Sequence, residues 1–343
     1  VIARSEQLLI DELADTATAS LLCTSAGTGH FARTFAARHP DTQVSCHFLD
    51  LFLAQQAAQQ AAGLSNVHIA CTSDLPAGDF ETAVLPVSMT GNAELTRELL
   101  QQMHERLVIG GYLYAATDNV RDTWLAAELT KLFIKVDRRP REDGVVYCCQ
   151  KREPLKKLKG FTAEFAFRDG PRLLKIITRP GVFGHRQIDA GARALLETMH
   201  VAPGERVFDI GCGSGALSLA AATRAEGVRV FAVDTNPRAI ECTLRSAQLN
   251  GVDNVRASVN AAADCDHPGE YDVCLANPPY YSHFRIAEIF VAGAQRALRR
   301  GGRLHVVTKQ PAWFEERLAV EFTQVSVQLR RGYSVFTAYQ RAS

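Results

Sequence analysis

The residues best placed to do chemistry are Asn277-Pro278-Pro279-Tyr280, which end the apolar strand pattern Tyr271-Asp-Val-Cys-Leu-Ala276. Proline donates no N–H and has a fixed φ, so two in succession cannot continue a buried sheet and predict a rigid loop off the strand end. Such a loop presents the Asn277 side-chain oxygen and the Pro278 carbonyl as neighbouring acceptors. Two acceptors suit the two hydrogens of one exocyclic NH2 group. Held that way, the amine lone pair leaves conjugation and can be aimed at an electrophilic carbon, while the Tyr280 ring covers the flat face of the base. A plain proline turn between a strand and a helix is the competing reading of these four residues.

A second set of residues could hold the electrophile. Val207-Phe-Asp209-Ile-Gly211-Cys-Gly213-Ser-Gly215 runs from an apolar strand into a glycine loop, followed by the helical Ala216-Leu-Ser-Leu-Ala. Glycines 211, 213 and 215 let the backbone pass close to a ligand, with the next helix N-terminus facing it, and Asp209 heads the loop. Asp234 ends the following strand, where a carboxylate can accept both ribose hydroxyls of an adenosine group; alternatively it caps the helix begun by Asn236-Pro237. The irregular stretch Pro180–Gly184 reads either as a plain turn into the next helix or as a segment that drapes Phe183 near the mouth of this sheet, and Asn260 is a candidate adenine contact beyond the third strand. A nicotinamide dinucleotide is the obvious rival ligand, but its usual fingerprint spaces the third glycine one residue later, and no hydride-transfer companion is apparent. Glycine loop, acidic strand end and Asn-Pro-Pro-Tyr in one sheet fit S-adenosylmethionine better than NAD.

These residues need a sheet to position them. Ser20-Leu-Leu-Cys-Thr-Ser reads as a buried strand ending at Ala26-Gly27-Thr28-Gly29, with a helix from about His30 to Arg38; strands then recur at Val44, Val67, Thr82 and Tyr112, with helices between them. Strand and helix in alternation predict a parallel sheet covered on both faces. The pattern then repeats: strand, glycine loop and helix from Val207, an acidic strand end at Asp234 against Asp50, Gly251-Val-Asp-Asn against Gly63-Leu-Ser-Asn, and Gly301-Gly302 against Gly110-Gly111, where the glycine pair is expected to end a helix. This is an internal duplication. In the first copy Pro86-Val-Ser-Met89 stands opposite Asn277-Pro-Pro-Tyr280, so catalysis is expected only in the second.

Apolar residues at 47% and charged residues at 22% are ordinary for a globular protein, and no apolar run is long enough to span a bilayer. No signal-peptide pattern opens the chain, and a cytoplasmic protein is expected. Nine cysteines lack metal-ligand spacing and read as buried free thiols, with Cys212 the one to watch for reactivity; no metal is expected. Residues 1–150 hold 11 Lys and Arg against 18 Asp and Glu, a net −7, and the remainder holds 27 against 19, a net +8. Much of that excess lies in residues 151–183, including Lys151, Lys156, Lys157, Lys159, Arg168, Arg172, Lys175 and Arg179. They read either as a solvated linker or as phosphate contacts for a polyanion.

Residues 160–340 resemble the class I methyltransferases that modify guanine N2 in bacterial ribosomal RNA, the RsmC/RlmG type, through Arg179-Pro-Gly-Val-Phe-Gly184, Asp189-x-Gly191, Asp209-Ile-Gly-Cys-Gly-Ser-Gly215 and Asn277-Pro-Pro-Tyr280. Two positions depart from that family: Tyr280, where Phe is common, and Gly184, where Ser is common. The resemblance implies two tandem Rossmann-like methyltransferase domains. These are a degenerate, RNA-gripping domain at 1–150, a basic linker and β-ribbon at 151–185, and a catalytic domain at 186–343. It also implies S-adenosylmethionine as cofactor and ribosomal RNA as substrate; a guanine inside a helix would have to be unpaired or flipped out, which favours naked or partly assembled RNA, and a monomer is expected. Asn-Pro-Pro-Tyr equally suits adenine N6 or a protein glutamine amide, and a non-catalytic RNA-binding or assembly module is the reading from another class.

Overall fold

The computed structural model describes residues 2–279 and 284–341. The chain divides into two compact units, Val1–Phe161 and Thr162–Ser343. The division falls inside the stretch read as a linker, so the basic residues of 151–161 belong to the first unit and the ribbon to the second.

The first unit runs α1 (Arg4–Glu12), β1 (Ser20–Thr24), α2 (His30–Arg38), β2 (Gln43–Phe48), α3 (Leu51–Gln60), β3 (Val67–Cys71), β4 (Phe80–Val87), α4 (Ala93–Arg106), β5 (Leu107–Thr117), α5 (Trp124–Leu129), β6 (Val136–Arg141) and β7 (Gly144–Gln150). Its seven strands are ordered β3-β2-β1-β4-β5-β7-β6, with β1 to β5 parallel and β7 antiparallel to both its neighbours. The central strands bury both faces, which is why Ser20–Thr24 and Phe80–Val87 read as near-continuous apolar runs.

The second unit opens on an antiparallel ribbon, β8 (Ala163–Asp169) and β9 (Arg172–Thr178). Then follow α6 (Ala190–Thr198), β10 (Arg206–Ile210), α7 (Ala216–Arg224), β11 (Arg229–Asp234), α8 (Pro237–Leu249), β12 (Val255–Val259), β13 (Tyr271–Ala276), α9 (Arg285–Ala297), β14 (Leu298–Thr308), α10 (Pro311–Glu321), β15 (Thr323–Arg330) and β16 (Tyr333–Tyr339). The sheet order is β12-β11-β10-β13-β14-β16-β15, the same permutation as in the first unit. In register, Cys23 pairs with Val84 as Asp209 pairs with Leu275, so two residues further on Pro86 matches Asn277.

The glycine pairs act differently from the expectation. α4 ends at Arg106 and β5 begins at once, so Gly110-Gly111 lie inside the strand where its register to β4 shifts. A Cβ on Gly111 would stand 2.8 Å from the Glu81 carbonyl oxygen, and one on Gly302 2.8 Å from that of Tyr271, so close backbone approach requires glycine at both places.

The ribbon buries Phe167, Leu174 and Ile176 against the core beneath β10 and α6. Its β9 edge is covered by α8: the Lys175 and Ile177 amides donate to Asn250 Oδ1 and Ser246 Oγ at 3.0 and 2.9 Å. Side chains of a helix thus satisfy backbone groups that a lone hairpin would leave to solvent.

Candidate active site

The site lies at the carboxyl ends of β10, β11 and β13, where parallel sheets bind ligands. Gly211, Gly213 and Gly215 have φ of +75°, +53° and +81°, conformations that disfavour a side chain. Each also has a close neighbour. A Cβ on Gly211 would lie 2.6 Å from the Phe290 ring of α9, on Gly213 3.1 Å from the Phe183 carbonyl oxygen, and on Gly215 2.7 Å from Thr243 Oγ1 of α8.

Asp234 stands beside this loop. Its Oδ2 accepts from the Gly213 amide and its Oδ1 from the Asn236 amide, both at 2.9 Å. It is not the cap of α8; that is Asn236, whose Oδ1 accepts from Arg238 N ahead of Pro237 at the first turn. A carboxylate has about four acceptor sites, so it can take hydroxyl donors beside these two amides. Asp209 lies under the loop, fully buried, with Oδ2 accepting from Ser218 Oγ. Its other oxygen has no partner among the described residues, and burial pushes the carboxyl up to about 7. It ties the end of β10 to α7. Cys212 is buried, and burial with the nearby Asp234 and Asp209 raises its thiol well above the usual range, which removes it as a reactive group.

The stretch before α6 is strapped to α8. Asn236 Nδ2 donates to the Gly181 carbonyl and Arg238 Nη1 to the Pro180 carbonyl, each at 2.8 Å, and Val182 packs on Ala239 and Cys242. The Phe183 ring, held against Gly213, stays 60% exposed. Arg179 is the correction here. Its side chain is buried and paired with Glu241 of α8 at 2.9 Å, so it anchors this strap and is not a phosphate contact. Lys151 is likewise buried, with Nζ donating to the Glu105 and Leu107 carbonyls at the end of α4. Lys156, Lys157, Lys159, Arg168, Arg172 and Lys175 are exposed.

Asn277 follows the last residue of β13 and is half-buried. Its Nδ2 donates to Asp189 Oδ2 at 3.0 Å, and among the described residues nothing donates to its Oδ1 or to the Pro278 carbonyl. Tyr280 lies outside the described residues. Beyond it, Phe284 holds a φ of +64° at the start of α9 and stacks on Trp313 with ring centroids 4.9 Å apart and planes at 6°. Asn260 sits beside Asp234, its amide donating to the Asp234 carbonyl, but its Oδ1 accepts from Ala262 N and Asp264 N; only its Nδ2 is left for a ligand.

The arrangement sets the glycine loop and Asp234 in the same sheet as the Asn277-Pro278 strand end. Residues 173–337 match the methyltransferase small domain family. Over 297 residues the chain is 28% identical to ribosomal RNA small subunit methyltransferase C of Ectopseudomonas mendocina, covering 81% of this chain and 85% of that one. The chain is similar to the RsmC-type methyltransferases. With the Chromohalobacter salexigens protein of the same name identity is 35% over 179 residues, about half of each chain. The fold agrees: the Thermus thermophilus 16S rRNA N2 G1207 methyltransferase RsmC, solved with AdoMet and guanosine, superposes with a TM-score of 0.82 at 21% identity, over 99% of this chain and 92% of that one.

An RsmC-type methyltransferase uses S-adenosylmethionine, and the second unit fits it: a half-buried carboxylate on the glycine loop, an exposed aromatic ring beside it, and a backbone cradle that side chains cannot enter. The first unit has turned the matching groups to its own fold. Glu6 of α1 is buried with its carboxylate on Ser25 Oγ at 2.7 Å and facing the Ala26 and Phe31 amides, while Ser25 Oγ accepts from the Gly27 and Gly29 amides. Asp50, the match of Asp234, caps α3 through Leu53 N. Phe290, Thr243, Asn236 and Arg238 escaped the sequence reading, because contacts between α8, α9 and a distant loop leave no local pattern.

No described helix is long and apolar enough to cross a membrane, and among the described residues no cluster of His, Cys, Asp and Glu could hold a metal.

Proposed function

We propose that this protein transfers a methyl group to the exocyclic N2 amine of a guanine in ribosomal RNA, with the second unit as the catalytic one. The observation that carries the reading is Asn277, whose NH2 is committed to Asp189, which leaves its oxygen as an acceptor at the end of β13 to which no described residue donates. Bound S-adenosylmethionine supplies an electrophilic methyl carbon, which the N2 lone pair takes as the carbon–sulfur bond breaks. Asn277 Oδ1 and the Pro278 carbonyl each accept one N–H of the amine, fix its direction and stabilise the positive charge that grows on nitrogen. Asp234 holds the ribose hydroxyls, and Asn260 Nδ2 is the candidate donor to the adenine. Phe183 covers the cofactor side of the site, with Tyr280 stacking on the base.

A paired guanine cannot present N2 to such a loop without leaving the stack, so naked or partly assembled RNA is the substrate form. Exposed Lys156, Lys157, Lys159, Arg168, Arg172 and Lys175 supply phosphate contacts, and the first unit serves RNA gripping in a monomeric cytoplasmic protein. Names carried by relatives that are ribosomal RNA methyltransferases support this substrate class.

The test is methyl transfer from labelled S-adenosylmethionine to deproteinised small- and large-subunit RNA in parallel, with nucleoside analysis. N2-methylguanosine in one of them is expected; N6-methyladenosine, or no label in either, overturns the reading. Asn277→Ala should lower kcat about 100-fold or more while cofactor affinity stays within a few-fold.

A further inference from the structure

We propose that Asp189 is a positioning residue for methyl transfer. It caps α6 and, with the same oxygen, fixes which end of the Asn277 amide faces the acceptor. Asp189 Oδ2 accepts from Ala192 N, the capping bond, and from Asn277 Nδ2, both at 3.0 Å. An ionised carboxylate has acceptors only, so the amide must turn its NH2 toward Asp189 and its oxygen away. A freely rotating amide would present NH2 to the incoming amine half the time, donor against donor. Gly191 lets the three groups meet: a Cβ there would lie 2.9 Å from Asp189 Oδ2 and 3.0 Å from Asn277 Oδ1.

The first unit supplies an internal control. Its α1 starts after Ala3, which has no side-chain cap, at the position where Asp189 precedes α6, and Pro86 stands where β13 gives way to Asn277. The unit without the amide is also without the carboxylate. A cap kept for helix stability alone gives no reason for the two to be absent together.

The inference rests on Asn277 as the amine acceptor. Three variants test it on the purified protein: Asp189→Ser, Asp189→Asn and Asn277→Asp. Serine and asparagine are as good caps as aspartate, so both variants at position 189 should keep the wild-type melting temperature and cofactor affinity. Serine is too short to reach residue 277, so D189S lets the Asn277 amide settle either way round, and kcat should fall about 10- to 100-fold with KM little changed. In D189N the oxygen that accepts from Ala192 N is the one that accepts from Asn277 Nδ2, so capping keeps the amide orientation and kcat should stay within about threefold of wild type. N277D places two carboxylates at hydrogen-bond distance and should be nearly inactive. A kcat for D189S within about threefold of wild type, or a D189N as slow as D189S at an unchanged melting temperature, overturns the proposal. All ratios are taken on whichever amine the wild type methylates, so an acceptor other than guanine N2 would remove the proposed function without deciding this point.

Discussion

Asp234 Oδ2 accepts the Gly213 amide at 2.9 Å, tying the end of β11 to the middle of the glycine loop. One carboxylate therefore shapes the loop and stands where it can also accept hydroxyl donors. Asp234→Ala should weaken S-adenosylmethionine binding about 10- to 100-fold, the effect of losing hydrogen bonds to a charged group. Asp234→Asn, which can still accept from Gly213, should lose less. Calorimetric titration decides; unchanged affinity in the alanine variant would remove Asp234 from the cofactor site.

Gly211 has a φ of +75° and would place a Cβ 2.6 Å from the Phe290 ring. Gly211→Ala should cost about 1–3 kcal/mol of stability through strain and overpacking. Phe290→Leu in the same chain should restore part of the melting temperature, since the ring is the obstacle. No recovery in the double variant would assign the cost to the backbone alone.

Burial raises the Asp209 carboxyl to about 7 against an ordinary value of 3.8. The folded state therefore holds a proton that the unfolded chain releases near pH 4, and stability falls as pH rises from about 4 to about 7, then levels. The drop is on the order of a few kcal/mol. Asp209→Asn, which keeps a polar group against Ser218, should flatten that part of the profile in thermal melts between pH 5 and 8. A slope identical to wild type would show that Asp209 is not its source.

Arg179 and the lysines of 156–159 should separate cleanly. Replacing exposed Lys156, Lys157 or Lys159 by Ala should lower RNA affinity at low salt and reduce the slope of log K against log salt by about one for each phosphate no longer neutralised, with no change in melting. Arg179→Ala removes the buried partner of Glu241, which keeps only the more exposed Arg245 at 3.1 Å, and should lower the melting temperature instead. A salt slope changed by Arg179→Ala in a protein of unaltered stability would reverse that assignment.

The sequence by itself determined what is local. Alternating strands and helices, the repeat with its matched Asp50 and Asp234, the glycine loop and the Pro278-Pro279 stop are read from neighbouring residues, because strand burial, left-handed φ and the missing proline N–H act within a few positions. It also carried the loss of Asn277 from the first copy, since the register of β4 and β13 follows from their apolar patterns. Tertiary structure decided the rest. Arg179 and Lys159 are equally basic in the sequence, yet one is buried by Glu241, 62 residues away, and the other faces solvent. Two of the three loop glycines recur in the first copy, but only folding shows Glu6 of α1 accepting from Ser25 at the start of that loop. Which end of the Asn277 amide is left as an acceptor is chosen by Asp189, 88 residues earlier, because an amide has two chemically opposite ends and only a partner across the fold can choose between them.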